Sequence, residues 1–500
     1  MKTNVDYANN GNVRMDAGYH FKNKVNSNSL YFLIVACFAL LVVFSGCEKD
    51  MMPTPEGNVK VTGVSLGQTM LTLEADETKT LTATVEPANA ANKDVTWTSS
   101  NDVVATVANG VVKAVAIGTA TITVTTNDGG HKATCTVTVG PPKQMTMTTV
   151  SDKVEFYMFG SGTVNIDWGD GSATETYTLK TNISFSPENL YTHSYSNASS
   201  NNITITGANI TNLYCDSNQL TSLDVSKNTE LTQLDCRWNQ LTNLNVSSNT
   251  RLRDLDCTGN QLEILDVSKN TVLFQLYCSV NQLTGLDVSN NTKLRYLTCG
   301  ENQLTSIDVS KNPELILLGC DGNPLTSLDV SNNTALGALS CSGNQLTSLD
   351  VSKNIELEQL WCNYNLLKEL DVSKNTALTM FDCADNQLTE LGLTYNTALK
   401  SLYCENNQLT ELDMSSNTVL TDLKCSMNQL TKLDLSNNTL LKNLYCDNNQ
   451  LDADALNALF KTLHDKMGEK SIFIYQNIGS FDPNLNKDIA ITKGWSVYNW

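Results

Sequence analysis

Asp235 and Asp256 stand 21 residues apart, each one residue before a cysteine. If the chain between them closes one turn of a stack of in-register strands, their carboxyl groups lie about 5 Å apart. That is close to the spacing at which paired carboxylates hydrolyse glycosides with retention. The cysteines recur more regularly than the acids, at 215, 236, 257, 278, 299, 320, 341, 362, 383, 404, 425 and 446. A column of thiols invites disulfides or metal ligation. Distance alone does not forbid disulfides between adjacent turns, but parallel in-register side chains meet the dihedral demand of an S–S bond poorly. No paired His or second Cys in each turn completes a metal set. The expectation is a ladder of buried thiols acting as small hydrophobes, with no metal and no cofactor.

Catalysis by the acids fares no better. Repetition places like residues side by side by default, and a shallow face lacks a cleft that excludes water. His20, His131, His193 and His464 are the only histidines, and no Ser-His-Asp order, phosphate loop or HExxH accompanies them. The chain reads as a non-enzyme.

The unit that positions these residues runs, in one copy, from Leu231 through Leu234, Cys236, Asn239, Leu241, Leu244 and Val246 to Asn249. A period of this length marks a solenoid, in which one turn cannot bury its apolar face and its neighbours complete the core. Leu234, Cys236, Leu241, Leu244 and Val246 are assigned inward. Asn239 and Asn249 fall at two bends, where an amide can satisfy backbone groups the turning chain leaves unpaired. Two short strands per turn are expected, at Leu234–Cys236 and Leu244–Val246. The pattern Leu-x-x-Leu-x-Cys-x-x-Asn-x-Leu resembles a leucine-rich repeat, with Cys where that family usually has Leu. Its short period and Cys column are similar to the cysteine-bearing repeats of internalin-type bacterial surface proteins. The resemblance covers about half the chain, residues 208–451, and implies a protein-binding surface array.

Comparison of the copies separates scaffold from variable positions. Asp224, Asp266, Asp287, Asp308, Asp329, Asp350, Asp371, Asp413 and Asp434 form one fixed column. They are read as exposed, hydrogen-bonded to nearby hydroxyls and offset by Lys227, Lys269, Lys311, Lys353 and Lys374; one carboxylate per turn is too few for a calcium shell. Variation concentrates three and one residues before each Cys and one and two after it, positions expected to line the concave face and its rim. There lie Trp238, Tyr277, Tyr296, Trp361, Tyr364, Tyr403 and Tyr445, among Asp235, Asp256, Asp382 and other acids. Exposed aromatics beside carboxylates suit stacking on sugar rings or docking of a basic, partly apolar protein surface. These residues are the candidate ligand-binding set.

The rest of the chain frames the array. Five hundred residues with 41% apolar and 17% charged content describe a foldable chain of several domains. A formal net charge of −19 argues against nucleic acid or an anionic membrane surface as partner. Residues 1–46 read as an export signal with an extended leader: Lys22 and Lys24 precede an apolar run from Leu30 to Phe44, too short to span a membrane. Met15 is a candidate alternative start. Ser45, Gly46 and Cys47 resemble a bacterial lipobox, with Phe44 in place of the commoner aliphatic residue. The resemblance implies cleavage before Cys47 and acylation of it, and two or more acyl chains would anchor stably where one would not. Residues 47–58 form a polar linker, and Glu48 beside the acylated position is a feature of outer-surface lipoproteins of Gram-negative bacteria. The expected location is therefore the outer membrane, exposed at the cell surface.

Residues 59–140 alternate Val and Thr in short runs split by turn residues, the pattern of a β-sandwich. The run around Trp97, then Val104–Val107, Asn109–Val112 and Gly118–Val124, resembles the bacterial group 2 Ig-like domain; Trp97 is assigned to its core and Cys135 to a strand. Residues 143–207 carry Val164–Ser172 and Tyr191–Tyr195, two motifs that resemble a PKD domain, and this module is expected to cap the first repeat. Asp167 and Asp170 there are candidates for calcium or for a turn, the turn being the commoner use. Residues 452–500 are expected to close the far end: Asp452 capping a helix with Leu456, Leu459, Phe460, Leu463 and Met467 on one face, a strand at Ser471–Tyr475, a short helix at Pro483–Thr492 and a last strand at Trp495–Tyr498. The fold class is thus mainly β: two β-sandwich modules, then a solenoid with a small α/β cap. The expected function is a monomeric, lipid-anchored surface protein whose concave face binds a host protein or a glycan. The alternative is a structural, self-associating protein of the cell envelope.

Overall fold

The computed structural model describes residues 58–499 except 76, 142, 197, 198 and 208; the apolar run at 30–44 and Cys47 lie outside the described residues. Among those described, no helix is long and apolar enough to cross a membrane.

The first module pairs Met70–Glu74, Lys132–Gly140, Gly118–Thr126 and Val95–Ser99 in one sheet and Thr78–Thr80, Val111–Ala114 and Ala105–Ala108 in another. Strand alternation puts Ala120, Ile122 and Val124 inward and the threonines between them outward. Cys135 is fully buried as a free thiol, and Trp97 packs half-buried on the same core.

Residues 143–207 share one continuous apolar core with the array, running from Met145 to Trp495. Their sheets join the first turn directly. Lys153–Gly160 pairs antiparallel with Ile210–Tyr214, and Gln144–Thr149 with Leu220–Asp224. The edge that would be open at the first repeat is therefore occupied by strand. Asp167 accepts a hydrogen bond from the Gly169 amide (3.0 Å) and Asp170 from the Ser172 amide (2.9 Å). The second Asp170 oxygen meets His193 Nε2 at 2.8 Å, and His193 stacks on buried Trp168. These carboxylates are engaged in turn geometry.

Each later turn contributes a strand that ends one residue before its Cys, as in Gln233–Asp235, and pairs parallel and in register with the next, Leu234 against Leu255. The result is a 16-stranded sheet from Leu190–Ser194 to Ser496–Tyr498. All twelve ladder thiols are buried and free. Several donate to the next turn's carbonyl, as Cys278 Sγ does to Thr298 O at 3.4 Å, and burial pushes the Cys299 thiol up to about 12.

Two asparagine ladders fasten the turns. Asn239 donates to the carbonyls of Cys215 (3.0 Å) and Cys236 (2.9 Å) and accepts from the amides of Asn218 (3.0 Å) and Leu220 (2.9 Å). Asn249 donates to Val225 O and Asn228 O. The expected second strand per turn is absent from the repeats after the first. Leu244 and Val246 do point inward, but beyond Leu220–Asp224 this side holds a single described bridge, Asp287 to Asp308. Asp266 takes the Ser268 amide at 2.9 Å, and the other members of the fixed Asp column take the equivalent serine amide, which closes a tight turn just beyond this segment.

At the far end Asp452 caps a helix over Ala453–Thr462 by accepting from the Ala455 amide at 2.8 Å, with Leu456, Leu459, Phe460 and Leu463 buried. Met467 does not join them: the helix ends five residues earlier and Met467 is fully exposed. The following strand is Ser471–Phe473, the second helix only Asp488–Ile491, and the last strand Ser496–Tyr498. Both strands continue the parallel sheet.

Candidate functional site

The variable positions assemble into four rows on the open face of the long sheet. Strand pleating turns the first and last residue of each strand outward and the middle Leu inward. Register makes Tyr214, Asp235, Asp256, Tyr277, Thr298, Gly319, Ser340, Trp361, Asp382, Tyr403, Lys424, Tyr445, Phe473 and Tyr498 one continuous row. Tyr296 lies in the row of first strand residues and packs against Phe274 with ring centres 5.7 Å apart.

The fourth row, two residues after each Cys, has a property the repeat pattern did not advertise. Every residue in it has positive φ, from Ser217 (58°) to Gln476 (57°). Gly259, Gly322 and Gly343 fill this conformation without strain. Trp238 (53°), Val280 (56°), Tyr364 (53°) and Met427 (54°) do not, and such bulky residues in the left-handed region cost about 1 kcal/mol or more each. Burial does not recover that cost for three of them, since Trp238, Tyr364 and Met427 are 51%, 55% and 54% exposed. The Trp238 indole lies over Gly259, occupying the space a side chain there would need.

The carboxylates divide by environment. In the fixed column, hydrogen bonds from Ser268 hold Asp266 below the usual carboxylate range, and Asp308 and Asp350 behave alike. On the strand face burial dominates and acts the other way. Asp235 is pushed up to about 7 by burial and by Asp256, against the opposing pull of Arg237. Burial raises Asp382 to about 6 and Glu405 to about 7. Arg237 stands 3.4 Å from Asp235 and 3.6 Å from Asp256, so the pair shares one guanidinium. Asp256 itself is buried, which removes it from the exposed set in which the sequence placed it.

These displacements fix a pH dependence. A carboxyl raised on folding binds its proton more tightly in the folded chain, so stability falls as pH rises from about 4 to about 7 and the penalty is complete above that. A rise from the ordinary value to about 7 at Asp235 corresponds to roughly 4 kcal/mol at most. Asp235→Asn is therefore expected to stabilise the protein by about 1–3 kcal/mol at pH 8 and to leave it unchanged at pH 4. Denaturation midpoints at the two pH values check this, and destabilisation at pH 8 contradicts it.

Near the far end the row becomes a stack. Tyr445 lies parallel to Phe473 at 4.3 Å, and Phe473 nearly parallel to Tyr498 at 4.6 Å. The Lys424 ammonium sits 4.3 Å from the Tyr403 ring centre and 5.8 Å from that of Tyr445. One face of Tyr445 is thus covered by Phe473, which leaves the other, toward Lys424, for a ligand. Phe473, Tyr498, Lys424, Val280 and Met427 belong to the face and were not in the candidate set. The step from Tyr445 to Phe473 breaks the 21-residue spacing, which hides Phe473 and Tyr498. Among the described residues no group of three or more His, Cys, Asp or Glu side chains is placed to hold a metal ion.

Comparison with known proteins agrees with this architecture. Residues 60–137 match the bacterial Ig-like domain (group 2). The functional domain of InlJ from Listeria monocytogenes, which includes a cysteine ladder, is 32% identical to the chain, with 53% of this chain and 74% of that one covered at a TM-score of 0.40. An α-L-arabinofuranosidase of Bifidobacterium longum is 52% identical over 101 residues, and an uncharacterised protein of Clostridium acetobutylicum 38% identical over 120. The chain spans only 9% and 12% of those two relatives. The array is a leucine-rich-repeat type solenoid behind an Ig-like domain.

Proposed function

We propose that the strand face of the array binds a protein ligand and that the chain is a non-enzymatic lipoprotein displayed on the outer membrane. In this reading Cys47 carries the lipid, the Ig-like domain and the PKD-like module hold the array away from the membrane, and the acids of the face select a basic surface. The observation that carries it is the pair Trp238 and Tyr364. Both adopt a strained backbone where glycine would serve, and both leave about half their surface in water. Neither is buried enough to make it a core residue; a binding surface gains rigid aromatic anchors.

The test exploits the strain. Trp238→Gly and Tyr364→Gly are expected to keep or raise the melting temperature, because glycine relieves a positive φ, while each weakens capture of a protein ligand at least tenfold. Residues 48–500 screened against arrays of purified proteins and of glycans supply the ligand. Capture of a glycan alone replaces this reading with a sugar-binding one, and assembly that grows with concentration in the absence of ligand replaces it with the structural one. For the anchor, metabolic labelling with a radioactive fatty acid is expected to mark the wild type and not Cys47→Ser; equal labelling of both refutes lipidation at that residue.

A further inference from the structure

The strand face is not uniformly studded with side chains. At the fifth to seventh ladder cysteines the row of last strand residues drops to Thr298, Gly319 and Ser340, between Tyr277 on one side and Trp361 on the other. The bareness continues past the cysteines through Gly300 and then Gly322 and Gly343. It forms a trough that crosses the array parallel to its strands.

The fold does not require this gap. Gly319 has no positive φ, and a side chain begun there would meet only the Thr298 methyl at 3.5 Å and an Asp321 oxygen at 3.7 Å, ordinary contact distances. Tyrosine occupies the same position in other turns, at 277, 403 and 445. The absence of side chains is therefore a property of the surface rather than of the core.

Its dimensions and chemistry select an occupant. Tyr277 and Trp361 stand on strands four steps apart, about 19 Å at the spacing of paired strands. Allowing for the thickness of the two walls, the remaining width is about that of one α-helix with its side chains, roughly 10–12 Å. An extended strand would leave most of that width empty. The floor is graded along its length. Half-buried Tyr296, Leu317 and Ala338 lie at one end, the Tyr296 ring leaning away on Phe274. At the other, exposed Glu301 stands beside Asp321, whose carboxylate accepts hydrogen bonds from the Ser340 hydroxyl and the Ser342 amide. Beyond the apolar end Arg295 pairs with Glu314. The carboxylates of Glu301 and Asp321 at the acidic mouth call for basic side chains on the occupant.

Building on the face-binding reading, we infer that the ligand inserts a basic, amphipathic α-helix into this trough. Its apolar side lies on Leu317 and Ala338, its Lys or Arg residues meet Glu301 and Asp321, and Tyr277 and Trp361 grip its flanks.

Two phage-displayed libraries of random 16-residue peptides, one built on a helix-forming frame and one on a disulfide-looped extended frame, are panned on residues 48–500. Enrichment is expected from the helical library, in Lys- and Arg-containing amphipathic sequences. The corresponding synthetic peptides are expected to lose at least tenfold in affinity with Gly319→Tyr and with Glu301→Lys, and to be unaffected by Trp238→Gly outside the trough. Thr298→Tyr closes the same trough and serves if Gly319→Tyr fails to fold. Enrichment from the extended library, or helical peptides indifferent to the closing variants, overturns the inference. Peptides lost only with Trp238→Gly or Tyr364→Gly overturn the trough but keep the face. If no peptide depends on any of these residues, both readings fall.

Discussion

Deletion of Asp452–Trp500 is expected to make the protein aggregate. The last complete turn ends with Leu444, Cys446 and Leu451 fully buried, and what buries them comes after the cut. Ser471–Phe473 pairs with Asn443–Tyr445, Leu444 against Ile472, and the helix Ala453–Thr462 adds Leu456, Leu459 and Phe460 to the same core. The cap also supplies one more rung. Asn477 donates to Cys446 O and Ile474 O at 2.9 Å each and accepts from the Leu451 amide at 3.3 Å, as the repeat asparagines do. Without it, an apolar end worth about 1.5–3 kcal/mol for each large side chain faces water, beside an open parallel edge ready to pair with another copy. Light scattering on the truncated protein checks the expectation, and a monomer that still melts cooperatively refutes it.

What the sequence showed of this molecule follows from repetition. Twelve cysteines and their asparagines in register made the inward columns and both bends readable, because each turn repeats the same physical problem and solves it with the same residue. Leu244 and Val246 were correctly turned inward, yet apolar alternation alone does not say where an amide goes. The strand predicted there does not form in the later turns, although the side chains point as expected. The left-handed row was legible in principle, since Gly259, Gly322, Gly343, Asn406 and Asn448 are the residue types that adopt positive φ readily; read that way, Trp238 and Tyr364 stand out as misfits. Other features lay beyond any local pattern. One face of Tyr445 is covered by Phe473, which arrives from the irregular cap. The burial of Asp256, and the upward displacement of Asp235 beside it, depend on three-dimensional crowding rather than on residue type.

The second large effect concerns the rungs, and Asn344→Ala is expected to cost about 3–5 kcal/mol. The Asn344 amide donates to the carbonyls of Cys320 (3.1 Å), Cys341 (2.9 Å) and Ser342 (3.1 Å), and its oxygen accepts from the Leu325 amide at 3.2 Å. Alanine leaves buried backbone groups in two turns without partners, at about 1–3 kcal/mol for each one that water fails to reach. Asn333, in the other ladder, donates to Val309 O and Asn312 O, while its own oxygen has no protein partner. Asn333→Ala therefore strands fewer groups, and its cost should be smaller by about two hydrogen bonds, roughly 1–3 kcal/mol. The ordering is the sensitive part of the test. Because each turn contacts only its neighbours, a local defect in the middle of the array can split one unfolding transition into two. Denaturant midpoints read from both tryptophan fluorescence and circular dichroism register that split. Asn344→Ala must fall below Asn333→Ala by either probe; equal losses would mean that the Cys-side ladder holds the turns together no more firmly than its counterpart.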